Sequence, residues 1–160
     1  MTSLWVALAI ILSDQLTKQW IRAGFALGES RPVIDGFFDL TYIRNTGAAW
    51  GMFSKYSWAL IVLSIVMLIL LAAFRKSFLS DTWEHRIAYG LLIGGIVGNL
   101  FDRVRLAAVT DFLDFHVAGH HWPAFNIADS AITIGVTILL VKNIFFDKQT
   151  EEINQRQKAI

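Results

Sequence analysis

Residues 58–74 read WALIVLSIVMLILLAAF and contain no charged side chain. A helix needs about 20 predominantly apolar residues to cross the hydrocarbon core of a bilayer, so this run predicts a transmembrane helix. Three further segments are apolar over a similar length, at residues 4–21, 87–101 and 127–146. The sequence therefore predicts an all-α membrane protein with four transmembrane helices and a small β element.

The composition sets the class and the number of domains. The chain has 160 residues, of which 55% are hydrophobic and only 17% are charged, against about 25% charged residues in soluble domains. That length suits one membrane domain, which we place at residues 1–146, followed by a polar tail at 147–160. The net charge of +1 offers no basic surface for nucleic acid, and the absence of cysteine excludes thiolate catalysis and disulfides.

The orientation follows from the number of spans and the basic residues. The N-terminus has no basic region ahead of its apolar run and no clean cleavage site, so we interpret it as a retained first helix. Four spans place both termini on one side, which carries seven basic residues against six on the other. This small excess favours cytoplasmic termini. Residues 23–57 then lie outside, where FFDLTYIRNTGAAWGMF predicts short strands joined by turns.

Polar residues interrupt the predicted spans. Asp14 and Lys18 lie four residues apart in the first span, which suits a local ion pair. The third span carries Asn99 and Arg103 on one face, and four glycines at three- and four-residue spacing that would let a neighbouring helix approach closely. A charge near mid-membrane costs about 2.5–3.5 kcal/mol, so such groups usually face a protein interior and act there.

Two aspartates are the best candidates for chemistry. Asp111 follows the third span and Asp129 begins the fourth, so a re-entrant loop between them can bring both carboxyls together at one membrane surface. Two close carboxyls share one proton, which provides a general base and a general acid for peptide hydrolysis. The alternative is structural, because Asp129 could simply balance a helix dipole while Asp111 occupies a turn.

Three other hypotheses stay open at this point. His116 and His120 have the i, i+4 spacing that can bind zinc on a helix, with Asp111, Asp114 and His121 nearby. A metal-dependent membrane protease is therefore an alternative, although a glycine and a proline make a helix there doubtful. A small proton-coupled transporter would also carry charges in its spans. A scaffold would explain the glycines but not the carboxylates.

Five blocks of the sequence resemble those of the lipoprotein signal peptidases, also called signal peptidase II, and they occur in the family's order. The resemblance covers residues 4–146. The blocks are DQLTK from Asp14, NTGAAWGMF from Asn45, GGIVGNLFDR from Gly94, VTDFLDF from Val109 and WPAFNIADS from Trp122.

The resemblance implies that Asp111 and Asp129 are the catalytic dyad. Other matched positions line the substrate site or lie beside the dyad: Asn45, Asn99, Arg103 and Asn126. Asp14 and Lys18 match positions that would hold the fold and the site together, and Gly47 and Gly95 match glycines that would keep the backbone close to its neighbours. The resemblance assigns no role to the histidines, and it implies neither a metal nor another cofactor.

The family resemblance also implies a substrate and a location. The substrates would be prolipoproteins whose cysteine already carries a diacylglyceryl group, cut just before that cysteine. The fold would be four transmembrane helices with an extracytoplasmic β-cradle at residues 23–57. The protein would work as a monomer among the lipids of the bacterial inner membrane, with both termini cytoplasmic and the active site facing outward.

Overall fold

A computed structural model describes residues 1–47, 56–78, 82–142 and 144. Helices dominate this part of the chain: α1 Thr2–Gly24, α2 Ser57–Ala73, α3 Arg75–Phe78, α4 Trp83–Leu106 and α5 Ile127–Lys142. The predicted tail at 147–160, the end of the predicted fourth span and residues 48–55 of the predicted cradle lie outside the described residues.

The long helices coincide with the predicted apolar segments. Helices α2 and α5 begin within one residue of the predicted spans, while α1 and α4 extend beyond them at both ends. Within the described residues, α4 alone is long and apolar enough to cross a membrane by length and composition, and α2 is apolar but shorter. The mostly helical fold is confirmed, whereas the number of spans stays a prediction.

The distribution of side chains is the reverse of that in a soluble protein. Along α1, Leu12, Leu16 and Trp20 are exposed, while Asp14 and Lys18 are fully buried. Soluble proteins almost never bury unpaired charges or expose a continuous apolar face. This arrangement is typical of a helix bundle that faces lipid and keeps its polar groups inside.

Helix α4 lies at the centre of the bundle and packs against α1, α2 and α5. Its glycines make the closest approaches. A Cβ atom at Gly94 would lie 2.8 Å from Cβ of Ile10 on α1. A Cβ atom at Gly95 would lie 2.5 Å from the carbonyl oxygen of Ala128 on α5. The glycine strip thus sets the distance from α4 to both neighbours, as its spacing predicted.

We expect Gly95→Ala to destabilise the protein by about 1–3 kcal/mol, the usual cost of overpacking a core. The added methyl group meets backbone, which cannot rotate away, so the first turn of α5 must shift. Gly24→Ala is the matched control, because nothing lies within 4 Å of a Cβ atom there. Thermal unfolding in detergent measures both variants, and equal melting temperatures would contradict this account of Gly95.

An antiparallel sheet in the order β1-β2-β3-β4 covers one end of the bundle. Its strands come from two parts of the chain: β1 Ser30–Ile34, β2 Phe38–Asn45, β3 Val109–Val117 and β4 His120–His121. The first two lie in the segment where strands were predicted. The segment predicted as a re-entrant loop between Asp111 and Asp129 does fold back, since Phe125 bonds to Phe112 and Leu113. Its first part is not a loop, because residues 109–117 form a strand that pairs with β2, with Asp111 opposite Ile43.

Candidate active site

Asp111 is the third residue of β3 and has 2% of its surface exposed. Two amide side chains donate to its carboxylate. Asn126 Nδ2 lies 2.7 Å from Oδ1 and Asn45 Nδ2 lies 2.9 Å from Oδ2. Asn45 reaches this position because β2 ends beside the start of β3, with Asn45 opposite Val109. The two amides fix the orientation of the Asp111 carboxyl.

Asp129 is the third residue of α5, and Asn126 caps the helix. The Asp129 backbone N–H donates to Asn126 Oδ1 at 3.0 Å, and the Asn126 backbone N–H donates to Asp129 Oδ2 at 3.3 Å. This reciprocal arrangement is a capping box, with aspartate in the position that glutamate often occupies. Asp129 Oδ1 accepts from Asn99 Nδ2 at 2.7 Å. The structural interpretation of Asp129 is therefore correct, and the same bonds orient its carboxyl.

The two carboxyls line one cavity of about 270 Å³. Residues from the sheet, from α4, and from the segment before α5 complete its lining: Asn45, Gly47, Arg103, Val109, Trp122, Pro123, Ala124 and Phe125. Arg103 Nη2 donates to the Gly47 carbonyl at 3.3 Å, while its Nε is buried with no hydrogen-bond partner in the described part of the chain. Its positive charge acts on both carboxyls of the cavity.

Burial, and after it the negative charge of Asp129, raise the pKa of the Asp111 carboxyl from its ordinary 3.8 to about 7. The hydrogen bonds from Asn45 and Asn126 favour the ionised form and only partly oppose this shift. Asp111 can therefore hold a proton near neutral pH while a second carboxyl faces the same cavity. A carboxyl pair that shares one proton contains both a general acid and a general base.

We expect kcat/KM to fall by about tenfold per pH unit once the pH rises above about 7, because ionisation of Asp111 removes the general acid. The pair titrates as a unit, so the falling limb reports an apparent pKa of the dyad. Initial rates of cleavage between pH 5.5 and 9 in one detergent measure this limb. A rate that stays constant to pH 9 would contradict a shared proton.

A buried ion network lies behind the dyad, between α1 and α4. Lys18 Nζ contacts Asp14 Oδ2 at 2.8 Å, Asn99 Oδ1 at 2.9 Å and Asp102 Oδ2 at 3.4 Å. Because Lys18 can only donate, it requires the oxygen of the Asn99 amide and turns the Asn99 nitrogen toward Asp129. Lys18 thus acts on the dyad through one intervening side chain. The ion pair predicted within α1 is present and extends to a second helix.

Asp14 also connects α1 to α5. Its Oδ1 accepts the backbone N–H of Ala128 at 3.0 Å, one of the helix-start donors that would otherwise lack a partner. A Cβ atom at Gly98 would lie 2.7 Å from Asp14 Oδ2, so a larger residue there would displace this carboxylate. The start of α5, and with it Asp129, is thereby fixed by residues of α1 and α4.

Asp102 was not predicted as a site residue, but it belongs to the same network. Asp102 is buried, and its Oδ2 accepts the backbone N–H of Thr110, the residue before Asp111. Its spacing of three residues from Asn99 on α4 is the signal that could have identified it, since such residues share a helix face.

The histidines do not form the helical pair considered above. His116 lies in β3, while His120 and His121 form β4. Among the described residues, no group of three or more histidine and carboxylate side chains is arranged to hold a metal ion. His121 Nδ1 instead lies 2.8 Å from Asp114 Oδ1. The zinc hypothesis therefore lacks the helical geometry on which it depended.

Comparisons with known proteins match one family over almost the whole chain. The family model described as signal peptidase (SPase) II matches residues 6–145. The lipoprotein signal peptidase of Syntrophotalea carbinolica is 44% identical over 141 residues, which cover 86% of this chain and 88% of the relative. That of Geobacter sulfurreducens is 44% identical over 142 residues, covering 87% and 89%.

Solved structures show the same fold. A bacterial membrane enzyme determined by the in meso method at 2.3 Å is 37% identical, with a TM-score of 0.81 over 89% of this chain and 87% of that one. A second, determined at 1.9 Å, is 36% identical with a TM-score of 0.79. These matches favour the peptidase hypothesis over the transporter and the scaffold. The chain is a bacterial membrane peptidase, and it belongs to the signal peptidase II family.

Proposed function

We propose that this protein is an aspartyl endopeptidase that removes the signal peptide from diacylglyceryl-modified prolipoproteins, cutting before the lipidated cysteine. The observation that carries the proposal is the pair of carboxyls, Asp111 buried and Asp129 partly buried, which enter one cavity from two different elements. The pKa of Asp111, raised to about 7, supports a shared proton at neutral pH.

The reaction needs only a water molecule between the two carboxyls. The ionised carboxyl takes a proton from the water as its oxygen attacks the scissile carbonyl carbon, and the protonated carboxyl donates to the carbonyl oxygen. Collapse of the tetrahedral intermediate breaks the C–N bond while a carboxyl protonates the leaving amine. The amides of Asn45, Asn99 and Asn126 hold the two acids in place, and the Arg103 charge balances the negative charge of the pair.

The surroundings of the dyad suit a lipid-linked peptide. Beside the main cavity, a second cavity of about 210 Å³ contacts Arg103 and Asp129. Apolar side chains of α2, α4 and α5 form most of its remaining wall: Leu60, Leu63, Met67, Ile96 and Ile132. A substrate with an apolar part on the helix side and a peptide on the sheet side matches these two cavities.

We further propose four transmembrane helices, α1, α2, α4 and α5, with both termini cytoplasmic and the tail at 147–160 inside the cell. The C-terminal end of α4 and the start of α5 meet at the dyad, at the same end of the bundle as the sheet. With cytoplasmic termini, the sheet and the active site lie at the outer surface of the inner membrane. One chain supplies both carboxyls, which supports a functional monomer.

The test uses purified protein in detergent with a diacylglyceryl-modified prolipoprotein, and loss of the signal peptide is followed on a gel. We expect cleavage that a strong chelator leaves unchanged. We expect no cleavage when serine replaces the lipidated cysteine. Inactivation by chelator that zinc reverses would support a metal-dependent protease instead, and equal cleavage of the serine substrate would indicate a general signal peptidase.

A further inference from the structure

Six polar side chains form a closed ring across all four strands of the sheet. We call it the polar ring, and its members are Ser30, Asp39, Thr41, Asp114, His116 and His121. Asp39 and Asp114 are directly opposite each other on β2 and β3, an arrangement of like charges that destabilises a sheet unless other groups compensate. The other four members supply that compensation.

Each contact of the polar ring is short. On one side, His121 Nδ1 lies 2.8 Å from Asp114 Oδ1, and Thr41 Oγ1 donates to Asp114 Oδ2 at 3.0 Å. On the other side, Ser30 Oγ donates to Asp39 Oδ2 at 3.0 Å, and His116 Nε2 lies 3.3 Å from Asp39 Oδ1 without the geometry of a hydrogen bond.

Two further contacts close the polar ring. The rings of His116 and His121 stack with centroids 4.6 Å apart, and the Ser30 and Thr41 hydroxyl oxygens lie 2.8 Å apart. Asp114 is buried, whereas about half of the His121 side chain is exposed. His121 can thus be replaced with little disturbance of the buried part of the sheet.

The polar ring lies next to one wall of the active site. The segment at residues 122–125, which we call the wall, follows His121 directly and lines the cavity that contains Asp111 and Asp129. Trp122, Pro123 and Ala124 also line a third cavity, on the other side of the wall. Its other lining residues include Asp114 and His121. The wall therefore separates the dyad from the polar ring.

The two ends of the wall are held to β3 unequally. At the far end, Phe125 makes three backbone hydrogen bonds with Phe112 and Leu113, and its ring stacks on Phe115. At the near end, the Trp122 N–H donates to the Phe115 carbonyl at 2.8 Å, and the strand that leads into it, β4, contains only two residues. The side-chain contact of His121 with Asp114 adds a second attachment beside Trp122, at the end of the wall with fewer backbone hydrogen bonds.

We propose that His121, held by Asp114, is a positioning residue that places the wall against the peptide substrate. The proposal rests on the proposed function. The substrate residues that meet the wall are those after the lipidated cysteine, because the wall lies on the sheet side of the dyad. His121 touches no reacting group, so it should affect substrate binding more than the chemical step.

The experiment compares His121→Ala, His121→Asn and His120→Ala in the full-length protein. Asparagine places a nitrogen donor near the position of Nδ1 and preserves the contact with Asp114, whereas alanine removes it. His120 is the matched control, since it is the exposed neighbour in the same strand. Two readouts are measured: kcat and KM for a diacylglyceryl-modified prolipoprotein, and amide hydrogen exchange of the peptide that covers residues 117–125.

For His121→Ala we expect KM to rise by about tenfold, the effect of losing one hydrogen bond to a charged group, with kcat changed by less than about twofold. We expect faster exchange at residues 117–125 in this variant alone, and wild-type behaviour from the other two. An unchanged KM, a loss confined to kcat, a failure of asparagine to restore KM, or unchanged exchange would each overturn the proposal.

The exchange readout needs no substrate, so the two proposals can fail separately. If the wild-type protein does not cleave the prolipoprotein, the proposed function is wrong. Exchange still decides whether His121 holds the wall, and a normal exchange rate in His121→Ala overturns that inference even when cleavage by the wild type is normal.

Discussion

Asp111→Asn and Asp129→Asn will each reduce cleavage of a prolipoprotein by about 10³-fold or more, because an amide can neither take a proton from water nor return one to the leaving amine. Asparagine is close in shape to aspartate, so the cavity remains, although its amide nitrogen cannot accept one of the two hydrogen bonds that each carboxylate receives. Rates are measured in detergent with the diacylglyceryl-modified substrate. Asp35→Asn, a change in the turn between β1 and β2, is the control for substitution of an aspartate outside the site.

Stability measurements separate loss of chemistry from loss of the fold. The pKa of Asp111 is raised to about 7 in the folded protein from an ordinary 3.8, so the folded state binds the proton more tightly than the unfolded state. This contribution is fully present below pH 3.8 and is lost as the pH rises through about 7. Asp111→Asn lacks this ionisation and should gain in melting temperature relative to wild type between pH 5 and 8.

Two results would remove the dyad from the mechanism. Cleavage at a wild-type rate by either asparagine variant would show that its carboxyl is dispensable. A difference in melting temperature between wild type and Asp111→Asn that does not vary with pH would show that Asp111 has an ordinary pKa. The proposed chemistry requires both the activity result and the pH dependence.

Lys18→Met should have the largest effect on stability, a loss of about 3–5 kcal/mol, the typical cost of removing one partner from a buried ion pair. Methionine fills a similar volume, so the loss of stability comes from removal of the charge and not from a cavity. It leaves Asp14 buried without its cation and removes the nearer of the two cations beside Asp102, which keeps Arg22 at 3.6 Å. Chemical or thermal unfolding in detergent measures the change.

A double variant tests the electrostatic cause. Lys18→Met combined with Asp14→Asn removes both charges of the closest pair and should be more stable than Lys18→Met alone. Lys142→Met is the matched control, because the pair of Lys142 with Glu84 is partly exposed and such pairs contribute about 0–1 kcal/mol. Equal losses for Lys18→Met and Lys142→Met would mean that burial of the network has no energetic consequence.

Much of the helical part could be predicted from local sequence. Runs of apolar residues located α1, α2, α4 and α5, because a helix that faces lipid leaves a continuous apolar signal. The charges inside those runs were equally informative, and they identified the Asp14–Lys18 pair. The sequence also shows Asn126 three residues before Asp129, the spacing of the capping box that the structure contains.

The second half of the sheet could not be predicted in the same way. Strand β3 carries two aspartates and pairs with β2. Asp111 on β3 contacts Asn45 on β2, and these two residues are 66 positions apart in the sequence. A pairing between distant segments leaves no periodic pattern in either one, and buried polar residues weaken the strand signal further. Asp102 was missed for a related reason, because its partner Thr110 lies on that strand.

In the proposed topology of four spans, the position of Asp14 four residues before Lys18 has a consequence for how α1 would enter the membrane. The first helix is synthesised before Asn99 and Asp102, so at that stage Asp14 is the one of these three partners that Lys18 can contact. Because the pair lies within one helix, its two charges would neutralise each other before the next span is made, which would lower the cost of moving them into lipid. The contacts of Lys18 with Asn99 and Asp102 would form later, when α4 packs against α1.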